Sequence, residues 1–149
     1  MSLILFDESA TLAFGQSLAA LVRPGDVITL SGTLGAGKTT LARGLLAALG
    51  LEGEAPSPTF AIVQSYAPPE VRLPVAHIDL YRIDDPAEAE EFGLDDLRFD
   101  HLLLVEWPER LGAQAWHDAL RLTIAPMAGG GRRLTAEVPP SWEARWPPA

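Results

Sequence analysis

Apolar residues along this chain alternate between short continuous runs and helical spacing, which predicts strands and helices in turn. Leu3 to Phe6 reads as a short first strand, after which Asp7 or Ser9 caps a helix striped with Leu12, Phe14, Leu18, Leu21 and Val22. Pro24-Gly25 turns the chain into a buried strand, Val27 to Leu30, and a helix over Thr40 to Leu49 is stopped by Gly50. Leu51 to Pro58 is a loop, and Thr59 to Tyr66 and Val75 to Leu80 are strands joined by a turn at Ala67 to Glu70. A short helix with Pro86 at its first position covers Asp85 to Phe92, and Leu94 to Leu97 adds another turn. Leu102 to Val105 is a continuous apolar run, the pattern of a strand covered on both faces. Leu120 to Ala125 and Leu134 to Val138 form a hairpin across Gly129-Gly130-Gly131.

No repeat or linker interrupts this order, so residues 1–149 read as one α/β domain. The proline-rich tail from Pro139 is expected to be irregular, with Trp142 and Trp146 packing it down. At 149 residues the domain can bury a proper core, and 48% hydrophobic with 21% charged residues is an ordinary globular balance. The absence of cysteine excludes disulfides and thiolate zinc sites. A net charge of −9 opposes direct, nonspecific binding of nucleic acid, so any link to it is expected through another protein. The start lacks a basic leader, and no run approaches the ~18 apolar residues of a membrane span. A cytoplasmic protein without membrane contact is the expectation.

Gly32-Thr33-Leu34-Gly35-Ala36-Gly37-Lys38-Thr39 fits the phosphate-loop pattern G-x-x-x-x-G-K-[ST]. The glycines let several backbone N–H groups converge on one phosphate chain. Lys38 would reach the β- and γ-phosphates, and the Thr39 hydroxyl would bind Mg²⁺. A strand before the loop and a helix after it supply the required context, with the helix dipole aimed at the phosphates.

A phosphate loop does not name a reaction. Magnesium needs a second anchor, usually an acid at the end of a neighbouring strand. Asp79 and Glu106 both close apolar strands, and spacing alone leaves open which is the metal-side carboxylate and which lies near the γ-phosphate. Ser57-Pro58-Thr59-Phe60 is a weaker cluster, whose threonine is placed as switch-loop threonines are in GTPases. His77, on an alternating strand, reads as a core histidine rather than a ligand.

In order and spacing, the phosphate loop with Thr40, Ser57-Pro58-Thr59-Phe60, His77-Ile78-Asp79-Leu80-Tyr81-Arg82 and Val105-Glu106-Trp107-Pro108-Glu109 resemble the bacterial TsaE (YjeE) ATPases of tRNA threonylcarbamoyladenosine biosynthesis. The resemblance covers about residues 7 to 133. It implies a P-loop NTPase-type fold, with a mainly parallel sheet, antiparallel edge strands and helices on both faces. It also implies a slow Mg²⁺-dependent ATPase acting with the proteins TsaB and TsaD, which modify adenosine 37 of tRNA; tRNA itself would be met only through that complex.

Carried over by position, the resemblance makes Lys38, Asp79 and Glu106 the catalytic group. Thr39 and Glu106 become the Mg²⁺ ligands, and Asp79 the residue that orients or deprotonates water. Backbone around Gly35, Ala36, Gly37, Lys38, Thr39 and Thr40 would cradle the phosphates. Thr59 would sense the γ-phosphate and Trp107 would lie beside it. Glu8 and Thr11 would border the base, and Arg132 would reach the nucleotide. Phe60 stands where the family often has tyrosine, which removes a hydroxyl but no catalytic role. Two other readings fit a phosphate loop: a small-molecule kinase, although only Arg132-Arg133 offers an arginine pair, and an ATP-dependent adaptor whose hydrolysis is dispensable.

Overall fold

The computed structural model describes residues 1–33, 35–53, 63–112 and 116–148. Seven strands form one sheet: β1 (Ser2–Leu5), β2 (Val27–Ser31), β3 (Val63–Tyr66), β4 (Val75–Asp79), β5 (Leu102–Glu106), β6 (Leu120–Pro126) and β7 (Arg132–Glu137). Their order across the sheet is β1-β7-β6-β2-β5-β4-β3. The inner strands β6, β2, β5 and β4 are parallel, while β7, β1 and β3 add antiparallel edges. The helices are α1 (Glu8–Ser17), α2 (Lys38–Ala48), α3 (Ala87–Glu90), α4 (Leu94–Arg98) and α5 (Pro140–Glu143).

Both faces of the central strands are covered. Leu102 and Leu104 of β5 join Ile28, Leu30 and the α2 leucines on one side. Leu103 and Val105 join Ile78, Leu80, Ala89 and Leu94 on the other. This sandwiching is why the strand reads as an unbroken apolar run.

Helix α1 lies directly on α2, and two glycines set their separation. A Cβ on Gly15 would stand 2.1 Å from the Leu41 carbonyl oxygen, and one on Gly44 would stand 2.2 Å from that of Leu12. Any side chain there would force the backbones apart. Asp7 caps α1 by accepting from the Ala10 N–H at 2.8 Å. Helix α2 ends as a Schellman motif, with Gly50 N–H donating to Ala47 (3.0 Å) and Leu51 N–H to Leu46 (3.1 Å).

Several expected boundaries move. The first strand ends at Leu5, leaving Phe6 80% exposed in the turn before α1. Helix α2 begins at Lys38 rather than Thr40, because Gly37, at φ 109°, turns the chain straight into the helix. The β3–β4 connection is longer than a turn at Ala67 to Glu70, since Val71 and Leu73 beyond it enter the core. The tail is not wholly irregular. Pro139 and Pro140 open α5, which buries Trp142 in the core, and Arg145 forms a two-pronged ion pair with Asp26 at 2.6 and 3.0 Å. Only Val63–Tyr66 of the expected Thr59 to Tyr66 strand lies within the described residues.

Candidate functional site

The phosphate loop joins the end of β2 to the start of α2, beside the carboxyl ends of β4 and β5. Asp79 and Glu106 close those two parallel strands and are register partners. Strand alternation puts His77, Asp79 and Glu106 on one face, the face that α2 covers.

Lys38 is 5% exposed, and its ammonium donates to the carbonyl oxygens of Gly32 (2.6 Å) and Thr33 (2.9 Å). It also lies 4.4 Å from the centre of the Trp107 ring. Burial lowers its pKa, an effect opposed by the carboxylates of Glu106, Glu109 and Asp79.

Trp107 is one of the few non-glycine residues with positive φ, at 61°, a conformation that costs free energy unless its surroundings hold it. They do so through a Trp107 N–H bond to the Leu30 carbonyl at 3.2 Å and a ring contact with Tyr81 at 4.9 Å. The strained turn directs the indole back over Lys38.

Glu106 is 3% exposed and accepts two partners. The Thr39 hydroxyl donates to its Oε1 at 3.2 Å, and His77 Nε2 lies 2.6 Å from its Oε2. Cis ligands of an octahedral Mg²⁺ with bonds of about 2.1 Å stand about 3 Å apart. The Thr39–Glu106 oxygens therefore have the spacing and hard-oxygen chemistry that Mg²⁺ requires. Among the described residues no group of three or more His, Asp or Glu side chains is arranged to hold a metal unaided. These two would be a partial ligand set, to be completed by phosphate oxygens and water.

Asp79 is partly buried and keeps one carboxylate oxygen occupied by the Tyr81 N–H at 3.0 Å. Desolvation raises its pKa; the Tyr81 hydrogen bond opposes the rise, Glu106 adds to it, and His77 and Lys38 oppose it. A carboxylate raised in this way is a better proton acceptor than one in water.

A cavity of about 220 Å³ is lined by Gly35, Ala36, Gly37, Lys38, Thr39, Thr40, Asp79, Glu106 and Trp107. A second, of about 290 Å³, is walled by Asp7, Glu8, Thr11, Arg132 and Gly131, and shares Gly35, Gly37 and Thr40 with the first. Together they form one groove astride the loop. Arg132 is anchored at its far end, donating to the carbonyls of Ala36 (3.0 Å) and Gly35 (3.3 Å). A larger hollow, about 500 Å³, lies against α3 and α4, but its Glu90, Asp95 and Asp96 would repel a phosphate.

Thus every sequence-derived site residue within the described chain lines this groove, while Thr59 lies outside the described residues. His77 is buried as a core histidine, as its strand position suggested, and what the sequence did not signal is its pairing with Glu106. Its position two before Asp79 showed only that the two share a strand face.

Residues 5–134 match the sequence model of the family described as threonylcarbamoyl adenosine biosynthesis protein TsaE. A TsaE protein of Streptomyces coelicolor is 42% identical over 116 residues, covering 77% of this chain and 78% of that one. One from Bacillus subtilis is 38% identical over 126 residues, covering 84% and 77%. The crystal structure of Bacillus subtilis YdiB superposes with a TM-score of 0.78 at 30% identity, covering 97% of this chain and 89% of that one. The fold is that of the P-loop NTPases, and the chain belongs to the TsaE family of tRNA threonylcarbamoyladenosine biosynthesis.

Proposed function

We propose that this protein binds and hydrolyses Mg-ATP in support of threonylcarbamoyladenosine formation at adenosine 37 of tRNA, acting with TsaB and TsaD. The observation that carries the ATPase reading is the convergence of Lys38, Thr39, Asp79 and Glu106 on one cavity beside the amino end of α2. Lys38 would exchange the neutral Gly32 and Thr33 carbonyls for the β- and γ-phosphate oxygens, a stronger charge-assisted contact. Thr39 and Glu106 would hold Mg²⁺, which supplies charge neutralisation on the phosphates. Asp79 would orient the attacking water and accept its proton, a task favoured by its raised pKa.

The adenine end of the nucleotide would occupy the neighbouring cavity between Glu8, Thr11 and Arg132. The chain carries no N-K-x-D guanine motif, and ATP is the proposed substrate on family grounds. The acidic surface supports contact with tRNA through the partner pair rather than directly. No helix among the described residues is long and apolar enough to cross a membrane. We place the protein in the cytoplasm on the same family grounds.

The deciding experiment measures association with purified TsaB–TsaD in the presence of ATP, GTP or neither, alongside nucleotide turnover. ATP should promote association, and the pair should raise ATP turnover strongly, as an arginine supplied by a partner does in other P-loop NTPases. Turnover unchanged by the partners would count against the proposal. Transfer of phosphate to a small acceptor would favour a kinase instead.

A further inference from the structure

His77 is fully buried in the middle of β4, yet it has a polar partner on only one side. Its Nε2 stands 2.6 Å from Glu106 Oε2, while Nδ1 has no hydrogen-bond partner among the described residues. A bare Nε2 facing a carboxylate oxygen at that distance would set two lone pairs against each other. Nε2 therefore carries hydrogen and donates. A buried imidazole left half-satisfied costs stability, and the one bond that offsets this cost is made to Glu106.

The consequence for Glu106 is geometric. Oε2 is held by His77, which leaves Oε1 turned toward the Thr39 hydroxyl at 3.2 Å. Thr39 is also 3.4 Å from Oε2, so without the histidine the carboxylate is free to turn its other oxygen to the loop or to approach with both. Mg²⁺ tolerates little deviation from octahedral geometry, and a carboxylate fixed to present one oxygen suits it. Outer-shell donors commonly set ligand orientation in this way.

We propose that His77 is a positioning residue, which locks the Glu106 carboxylate in the one-oxygen pose required for Mg²⁺ beside Thr39. This rests on the Mg²⁺ site proposed above. His77 touches neither nucleotide nor metal; it acts only through Glu106.

The test reads Mg²⁺-dependent binding of a fluorescent ATP analogue, titrating Mg²⁺ at fixed nucleotide, with nucleotide affinity in EDTA and a thermal melt as controls. His77→Leu removes the donor, His77→Gln returns an N–H near the Nε2 position, and His77→Asn places one near Nδ1, out of reach of Glu106. The Mg²⁺ concentration at half-effect should rise about ten-fold or more in His77→Leu and His77→Asn, and return to within about three-fold of wild type in His77→Gln. Affinity in EDTA should be the same for all four proteins.

If wild type itself shows no Mg²⁺ dependence, the metal site fails rather than the role of His77. If wild type depends on Mg²⁺ and His77→Leu matches it, the inference is overturned. Should His77→Leu fail to fold, the Gln and Asn pair still decides, because equal Mg²⁺ titrations for the two would sink it.

Discussion

Asp79 and Glu106 end adjacent parallel strands as direct register partners, yet their surroundings differ. Glu106 is enclosed between Thr39 and His77, whereas Asp79 lines the cavity with one oxygen on the Tyr81 N–H and, among the described residues, no partner on the other. Under the proposed function, two acids in one register would take two tasks. Asp79→Asn is expected to keep Mg-ATP affinity within about three-fold and to lower hydrolysis about 100-fold or more, the usual span of a lost general base. Calorimetric binding beside single-turnover hydrolysis checks this.

The raised pKa of Asp79 has a signed effect on pH dependence. Water activation needs the ionised form, so hydrolysis should fall as pH drops through a value above the ordinary 3.8, and this acid limb should vanish in Asp79→Asn. Stability runs the other way. Between 3.8 and the raised value the folded state binds more protons than the unfolded chain, so stability falls as pH rises through that window. Melting curves of wild type and Asp79→Asn across acidic pH should differ by that slope.

Lys38 donates to two carbonyls of its own loop and lies over the face of Trp107. Triphosphate binding should draw the ammonium away from the indole and change its emission. The change should disappear in Trp107→Phe, while the other tryptophans still report on folding. Lys38→Ala should weaken ATP binding about 100-fold, consistent with about 3 kcal/mol for a charged hydrogen bond, and should weaken docking to TsaB–TsaD with it.

The packing of Gly15 on the Leu41 carbonyl and of Gly44 on that of Leu12 has no slack. Gly15→Ala is expected to cost at least about 1–3 kcal/mol, because the methyl meets backbone rather than a side chain that can rotate away. Since α1 carries Thr11 and α2 carries Thr40, the same substitution should weaken nucleotide binding in whatever fraction stays folded. Urea denaturation and ATP titration on one sample measure both.

The tail should behave as part of the domain. Trp142→Ala is expected to destabilise by about 3–5 kcal/mol, as loss of a buried aromatic does, and to release the Arg145–Asp26 pair. A melt that shifts no more than a surface substitution would refute this.

What the sequence revealed follows from how local each signal is. The loop from Gly32 to Thr39, the capping Asp7 and the doubly buried β5 are written in contiguous residues, and they appear where expected. Pairings between distant segments are less legible. Spacing left the roles of Asp79 and Glu106 open and only the family resemblance ranked them; their adjacency itself appears once β4 and β5 are set in register. His77 is core, as it looked, but its bond to Glu106 could not be seen because the partner lies 29 residues away. Helix α5 was hidden by prolines that read as breakers, although a proline at a first helical turn gives up no hydrogen bond.

Strand β1 reaches across from the chain's start to pair with β7, and its last residue, Leu5, lies opposite Arg132. Glu8 follows just after one strand, and Arg132 begins the other, so the two walls of the second cavity come from opposite ends of the polypeptide. The wall that would face the base under the proposed ATP reading therefore depends on the β1–β7 pairing, whereas the Lys38–Glu106 end is built on β2, β5 and α2.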